Sequence, residues 1–243
     1  MNTMNFEKII WEKEVLKEKK KNRNVCKIYI FRHAQTYFNK NHFFTGWKDS
    51  KLTPLGIKQA KKVGNKLKDV QIDVAFRTHL SRSKNTLKEV LKYHPECFML
   101  VEDDRIIERS YGDLQGKSHK SFVIHEGTDD YKTLLHWHKI DHLHGEERLK
   151  FIEEVGEAEL QIVRRSYNHA PPNGESVKDV EKRVNSFIKD LIKFVKANKV
   201  NVAISAHGNS MRPFRKYFEK LSVEEMMHLE NPWDDYFEYS IKL

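Results

Sequence analysis

The strongest constraint on the fold of this chain is an alternation of buried strands with amphipathic helices. A β-branched and aromatic run, VCKIYIF at residues 25–31, reads as a strand covered on both faces. Thr53 and Pro54 supply an N-cap and a first helical position for a helix over residues 53–68, with Ile57, Ala60, Gly64 and Leu67 predicted along its inner face. Residues 74–76 predict a short strand, 81–91 a helix and 98–101 another strand. Val180, Val184, Phe187, Leu191 and Phe194 recur at helical spacing, so residues 177–197 read as one long helix. VNVAISA at residues 200–206 predicts a further buried strand, again followed by a helix. This order implies an α/β fold of three layers, helix on sheet on helix, with a mostly parallel sheet. In such sheets, ligands collect beyond the carboxyl ends of the strands.

Two of those strand ends carry chemistry. The first strand runs directly into Arg32 and His33. The late strand runs into His207, Gly208, Asn209 and Ser210 at the start of a helix, where backbone N–H groups favour an anion. Either histidine alone would read as an ordinary hydrogen-bonding residue. Two in the same topological position, with a guanidinium beside one of them, point to a bound phosphoryl group.

The stretch RHAQTYFNKNHFFTGWKDSKLTPLG (residues 32–56) resembles the opening of the 2,3-bisphosphoglycerate-dependent phosphoglycerate mutases, within the wider family of histidine phosphatases. The likeness continues in THLSRSKNT (78–86), IIERSYGDLQG (106–116), RRSYNHAPPNGES (164–176) and SAHGNSMR (205–212). It reaches from about Lys27 to about Glu230. The resemblance implies a phosphoglycerate mutase-like fold and catalysis through a phosphohistidine without a metal.

Phosphoryl transfer needs a nucleophile, stabilisation of three equatorial oxygens and a proton donor for the leaving oxygen. His33 is the candidate nucleophile, neutral and with its other ring N–H held by an acceptor. Arg32, Arg82 and His207 would form a cationic cradle. Glu108 would serve as general acid and base, with a pKa raised by burial so that it can donate at neutral pH. The resemblance assigns these same roles, and it implies that Asn39, Thr45, Gly46, Tyr111 and Asn209 line the pocket. It further implies that Arg164 and Arg165 grip the carboxylate or distal phosphate of the substrate. Trp47 is expected to pack rather than bind.

The chain departs from the resembled pattern at several places. Ala34 stands where glycine is usual, and His119 stands where a substrate-binding lysine is expected, with Lys117 or Lys120 as possible substitutes. NPWDD (231–235) replaces the usual Thr-Gly, and the mutases' long covering tail has no counterpart after it. A pocket without that cover would admit water, which favours a phosphatase.

The segment between Gly116 and Arg164 is longer than the family needs and carries His119, His125, His136, His138, His142 and His144. Zinc is one use for such spacing, but without an evident tetrahedral set the expectation is a mostly helical insertion or lid at about 118–155 on a catalytic domain spanning 25–243. Residues 1–24 are expected to form a basic helical extension, with Phe6, Ile9, Ile10 and Leu16 at roughly helical spacing and the run KEKKKNR as a solvated tail.

A net charge of +9 over 243 residues favours anionic partners. Its diffuse distribution argues against a nucleic-acid or membrane patch, the resemblance implies a small phosphorylated carboxylate as partner, and a homo-oligomer is possible. Only two cysteines, Cys26 and Cys97, and no secretory signal imply a reducing cytoplasm. The functional expectation is a phosphoglycerate mutase primed by 2,3-bisphosphoglycerate. A phosphatase of a small phosphorylated metabolite is the alternative, and a non-catalytic phosphate-binding scaffold the remote one.

Overall fold

In the computed structural model of the protein, which describes residues 3–5, 23–137 and 139–243, six strands join in one sheet. They are β1 (Thr3–Asn5), β2 (Val25–Arg32), β3 (Val74–Arg77), β4 (Met99–Glu102), β5 (Val202–Ala206) and β6 (Tyr236–Lys242). Their spatial order is β1-β4-β3-β5-β2-β6. Every pairing is parallel except that of β6, which runs antiparallel along β2 at the edge.

The helices are α1 (Tyr37–Lys40), α2 (Pro54–Leu67), α3 (Ser81–Leu91), α4 (His119–His136), α5 (Gly145–Arg165), α6 (Val177–Asn198), α7 (Gly208–Glu219) and α8 (Val223–His228). Because side chains alternate along a strand, β2 divides its apolar residues between two cores. Ile28 and Ile30 pack with α6 and α7 through Val184, Phe187, Leu191 and Phe214. Tyr29 and Phe31 pack with α2 and α3 through Val63, Leu67, Leu87 and Val90. The three-layer expectation therefore holds. Cys26 and Cys97 are buried free thiols.

The inner face of α2 differs from the expected one. Thr53 caps the helix by accepting the Gly56 N–H, and Gly56, Ala60, Val63, Gly64 and Leu67 are buried, whereas Ile57 is 41% exposed. Gly56, one position earlier, takes the inner place because its backbone lies against the Gln35 carbonyl, leaving no room for a larger residue.

The expected helical arm over 1–24, with Phe6, Ile9, Ile10 and Leu16, lies mostly outside the described residues. Within it, Thr3–Asn5 adds a short parallel strand to β4. Arg23, the end of the basic run, is not a solvated residue: its guanidinium pairs with Asp73 and donates to the Lys199 carbonyl.

The histidine-rich insertion is a helical hairpin of α4 and α5. At their crossing a Cβ on Gly127 would stand 1.8 Å from the Ile152 carbonyl oxygen, and one on Gly156 would stand 2.0 Å from that of Val123. Glycine is required there because two backbones touch. Tyr131, Ile140 and Ile152 give the tip its own small core. Phe122, Val123, Leu160 and Val163 join the base to Phe44 and Leu114 of the main body. The hairpin thus delivers His119 at one end of α4 and Arg164 and Arg165 at the end of α5. Among the described residues, no helix is long and apolar enough to cross a membrane.

Candidate active site

Strand register creates the site. In the β2–β5 ladder Arg32 faces Ala206, so the next residue on each strand, His33 and His207, emerges side by side. Their rings lie 5.0 Å apart between centroids. The Ala34 carbonyl accepts from His33 Nδ1 at 2.8 Å. A carbonyl can only accept, so the proton sits on Nδ1 and the lone pair on Nε2. Thr78, following β3, meets His207 Nε2 at 2.9 Å and leaves Nδ1 buried with no protein partner.

Arg82, in the first turn of α3, is fully buried and donates to the carbonyls of Gly46 (2.7 Å) and Lys48 (2.9 Å). Its Nε has no partner, and neither has the buried Nε of Arg32. Two unpartnered guanidinium N–H groups and a buried imidazole nitrogen, on residues next to His33 in the fold, suit a tetrahedral anion, since an unpaired buried polar group is costly. Burial, and then the guanidinium charges of Arg82 and Arg32, hold His33 well below the usual histidine range. Burial first, then Arg82, His33, Arg183 and Arg32, do the same to His207. Both histidines are thus biased toward the neutral form, and the positive charge beside them comes from Arg32 and Arg82.

Glu108 is buried, and its Oε1 accepts the N–H groups of Arg109 (2.9 Å) and Asn209 (3.0 Å). Its backbone is clamped as well. Arg183 of α6 donates to the carbonyls of Arg105 and Ile107 (both 2.8 Å) and of Glu108 (3.0 Å). The same guanidinium forks onto Glu175, whose other contact is the Ser110 N–H. Trp47, expected to pack rather than bind, is 47% exposed and packs on the Glu108 segment through its Nε1, which donates to the Glu108 carbonyl at 2.8 Å.

One cavity of about 150 Å³ joins Arg32, His33, Arg82 and Glu108 to the expected substrate residues. Asn39, Thr45, Gly46, Tyr111, Arg164, Arg165 and Asn209 all line it. His207 is adjacent to this wall, with a ring nitrogen within 4.8 Å of ligand atoms of both His33 and Glu108. His119 lines the cavity where the lysine was expected, edge-on to Phe44, while Lys117 and Lys120 are exposed and do not. Burial, Arg164 and His42 push His119 down to about 4, so it carries no charge at neutral pH.

The cavity also contains residues that the motifs did not single out, Arg212, Glu230 and Asn231. Arg212 closes the SAHGNSMR block, one helical turn after Asn209, and that spacing was the available signal. Glu230 and Asn231 sit at the end of the recognised likeness and left no comparable trace. Among the described residues, ligand atoms of His33, Glu108 and His207 lie within 4.8 Å of one another, a spacing that could suit a metal. The adjacent guanidinium groups of Arg32 and Arg82 favour an anion instead. His125, His136, His142 and His144 are exposed, and His138 lies outside the described residues.

Residues 28–169 and 138–235 match the profile of the histidine phosphatase superfamily (branch 1). The chain belongs to this superfamily. Among histidine phosphatases of known sequence, a 2,3-bisphosphoglycerate-dependent phosphoglycerate mutase of Methanococcus vannielii is 34% identical over 215 residues, covering 86% of this chain and 87% of the relative. A phosphoglycerate mutase of Schizosaccharomyces pombe is 34% identical over 208 residues, covering 84% of each chain. Solved histidine phosphatase structures share the fold at lower identity. A mycobacterial glucosyl-3-phosphoglycerate phosphatase superposes with a TM-score of 0.64 at 21% identity, over 89% of this chain and 90% of the other. A phosphoglycerate mutase of Bacillus anthracis gives 0.58 at 22%, over 90% and 93%.

Proposed function

We propose that this histidine phosphatase is a cytoplasmic phosphoglycerate mutase of glycolysis and gluconeogenesis, interconverting 3-phosphoglycerate and 2-phosphoglycerate through a phosphohistidine on His33. The observation that carries the reading is a single pocket lined by five arginines, more cationic groups than one phosphoryl group needs. Arg32, Arg82 and His207 surround His33, while Arg164, Arg165 and Arg212 line the same cavity. The cavity is small, about 150 Å³, in keeping with a compact phosphorylated acid. The relatives named as mutases support the same substrate class.

The unpartnered Nε atoms of Arg32 and Arg82 and Nδ1 of His207 suit the phosphoryl end of 2,3-bisphosphoglycerate, and Arg164 and Arg165 suit its other end. When bound, that cofactor supplies the phosphoryl group that primes His33. Nε2 of His33 then carries the group, with Nδ1–H fixed on the Ala34 carbonyl. Arg32 and Arg82 spread the charge of the equatorial oxygens, and His207 donates one further hydrogen bond if Thr78 donates to its Nε2 and leaves the proton on Nδ1. Glu108 takes the proton from the substrate hydroxyl that accepts the phosphoryl group. It returns a proton to the leaving oxygen when His33 recovers a phosphoryl group from the other position.

A second reading, phosphatase activity on a small phosphorylated metabolite, is favoured by one feature: uncharged His119 stands where the resembled mutases place a lysine. The two readings separate in one assay. The protein is given 3-phosphoglycerate with and without 2,3-bisphosphoglycerate, and both 2-phosphoglycerate and inorganic phosphate are followed. Isomer formation that depends on the bisphosphate is expected. Phosphate release without isomer would replace the mutase reading with the phosphatase one.

A further inference from the structure

The replaced segment NPWDD and the two residues before it form a strap along the pocket rim. Three successive carbonyls of the strap accept from three arginines. Arg212 Nε reaches Leu229 (3.3 Å), Arg215 Nη1 reaches Glu230 (2.9 Å) and Arg32 Nη1 reaches Asn231 (3.3 Å). Asn231 adds a bond from its Nδ2 to the Gly208 carbonyl at 2.9 Å, and Trp233 lies under the Arg32 guanidinium at 4.9 Å from the ring centroid. The backbone of the strap is thereby fixed to the wall that binds the anion, and the Glu230 side chain is presented to the cavity.

Glu230 Oε1 accepts from Arg165 Nη2 at 2.9 Å. Arg165 is one of the two arginines assigned to the far end of the substrate. The negative charge of Glu230 is also felt at Arg32 and at Arg212, where it opposes the lowering effect of burial. A carboxylate of the protein thus stands where a carboxylate of the ligand would be gripped.

We infer that Glu230 is a specificity-determining residue: a built-in carboxylate, paired with Arg165, with which the distal anionic group of the substrate must compete. The inference rests on the reading of the cavity as a two-anion site. Its chemical consequence is selective. A ligand bearing only one phosphoryl group, held at His33, has no need to move Glu230. A ligand with a second anionic group must compete with it, so Glu230 lowers affinity for that class and prevents a lone guanidinium at the rim from capturing stray anions. With 75% of its side chain exposed, Glu230 makes a weak ion pair, so displacement is easy and the expected effect is modest.

Calorimetric titration of the wild type and of Glu230→Gln with inorganic phosphate and with 3-phosphoglycerate tests this. The variant is expected to bind 3-phosphoglycerate about two- to fivefold more tightly, with a clearly smaller gain for phosphate, because Glu230 bonds Arg165 directly but reaches Arg32 only through space. In an Arg165→Gln background the same replacement of Glu230 is expected to give no gain, because the competition has lost its object. Unchanged or weaker binding of 3-phosphoglycerate by Glu230→Gln overturns the inference, as does equal tightening for both ligands, which would mark a general field effect. Wild-type protein that binds phosphate but not 3-phosphoglycerate removes the two-anion reading itself, and the inference with it.

Discussion

His33 and His207 are neutral because the environment that recruits an anion also repels a proton. Burial and two guanidinium groups disfavour imidazolium, which leaves His33 Nε2 nucleophilic across the neutral range. His33→Ala should therefore lose turnover by at least about 1,000-fold, as expected for removal of a nucleophile, and should no longer incorporate an acid-labile phosphoryl group from labelled substrate. Retained turnover would mean that another residue carries the phosphoryl group. The same depressed values set a stability window. His33, His207 and His119 have folded values below about 6.5, the unfolded value, so the unfolded chain binds more protons as the pH drops. Stability is complete above that value and should be lost progressively as the pH falls through it. Melting temperature measured between about pH 7.5 and pH 5 should decline, and saturating phosphate should reduce the decline by restoring a partner for protonated His207.

Two elements hold the site in register, and each predicts a separate kinetic signature. The α4–α5 hairpin brings His119, Arg164 and Arg165 to the cavity through a crossing at which backbones meet at Gly127 and Gly156. Gly127→Val should push the helices apart, cost about 1–3 kcal/mol of stability and raise KM for 3-phosphoglycerate more than it lowers kcat, because only the distal contacts move. Arg183 of α6 acts instead on the Glu108 segment, by a planar fork onto three carbonyls and Glu175. Lysine has one point charge and cannot reproduce that fork. Arg183→Lys should lower kcat by about 10- to 100-fold with KM nearly unchanged, since the proton donor is misplaced while the binding arginines stay. A matched rise in KM would assign Arg183 to binding instead.

The whole molecule carries a net charge of +9, and its cavity concentrates Arg32, Arg82, Arg164, Arg165 and Arg212 against Glu108 and Glu230. A field of that sign raises the local concentration of a phosphorylated acid and is screened over about 10 Å at 0.1 M salt. Raising potassium chloride from about 50 to 300 mM should therefore reduce kcat/KM for 3-phosphoglycerate, chiefly through KM. A salt-independent kcat/KM would show that the diffuse lysine charge and the pocket field do not reach the approaching ligand.

Much of the outcome was legible from local pattern. Strand and helix periods placed β2, α2, β3, α3, α6 and β5, because each buries its apolar face in a way that spacing alone reveals. The strand-end histidines, with the Arg and Glu blocks of the family likeness, named most of the cavity wall. The inner face of α2 was misread at Ile57, since contact between Gly56 and the Gln35 backbone, not hydropathy, decides which side turns inward. Arg183, Arg212 and Glu230 escaped notice because their importance lies in what they touch across the fold. Sequence by itself determined the layered α/β architecture and the histidine phosphatase family, which depend on residue type and on spacing within single elements. Tertiary structure decided the neutrality of His207, the clamp on Glu108 and the carboxylate on Arg165. These depend on desolvation and on bonds between residues far apart in the chain, which one-dimensional spacing does not encode.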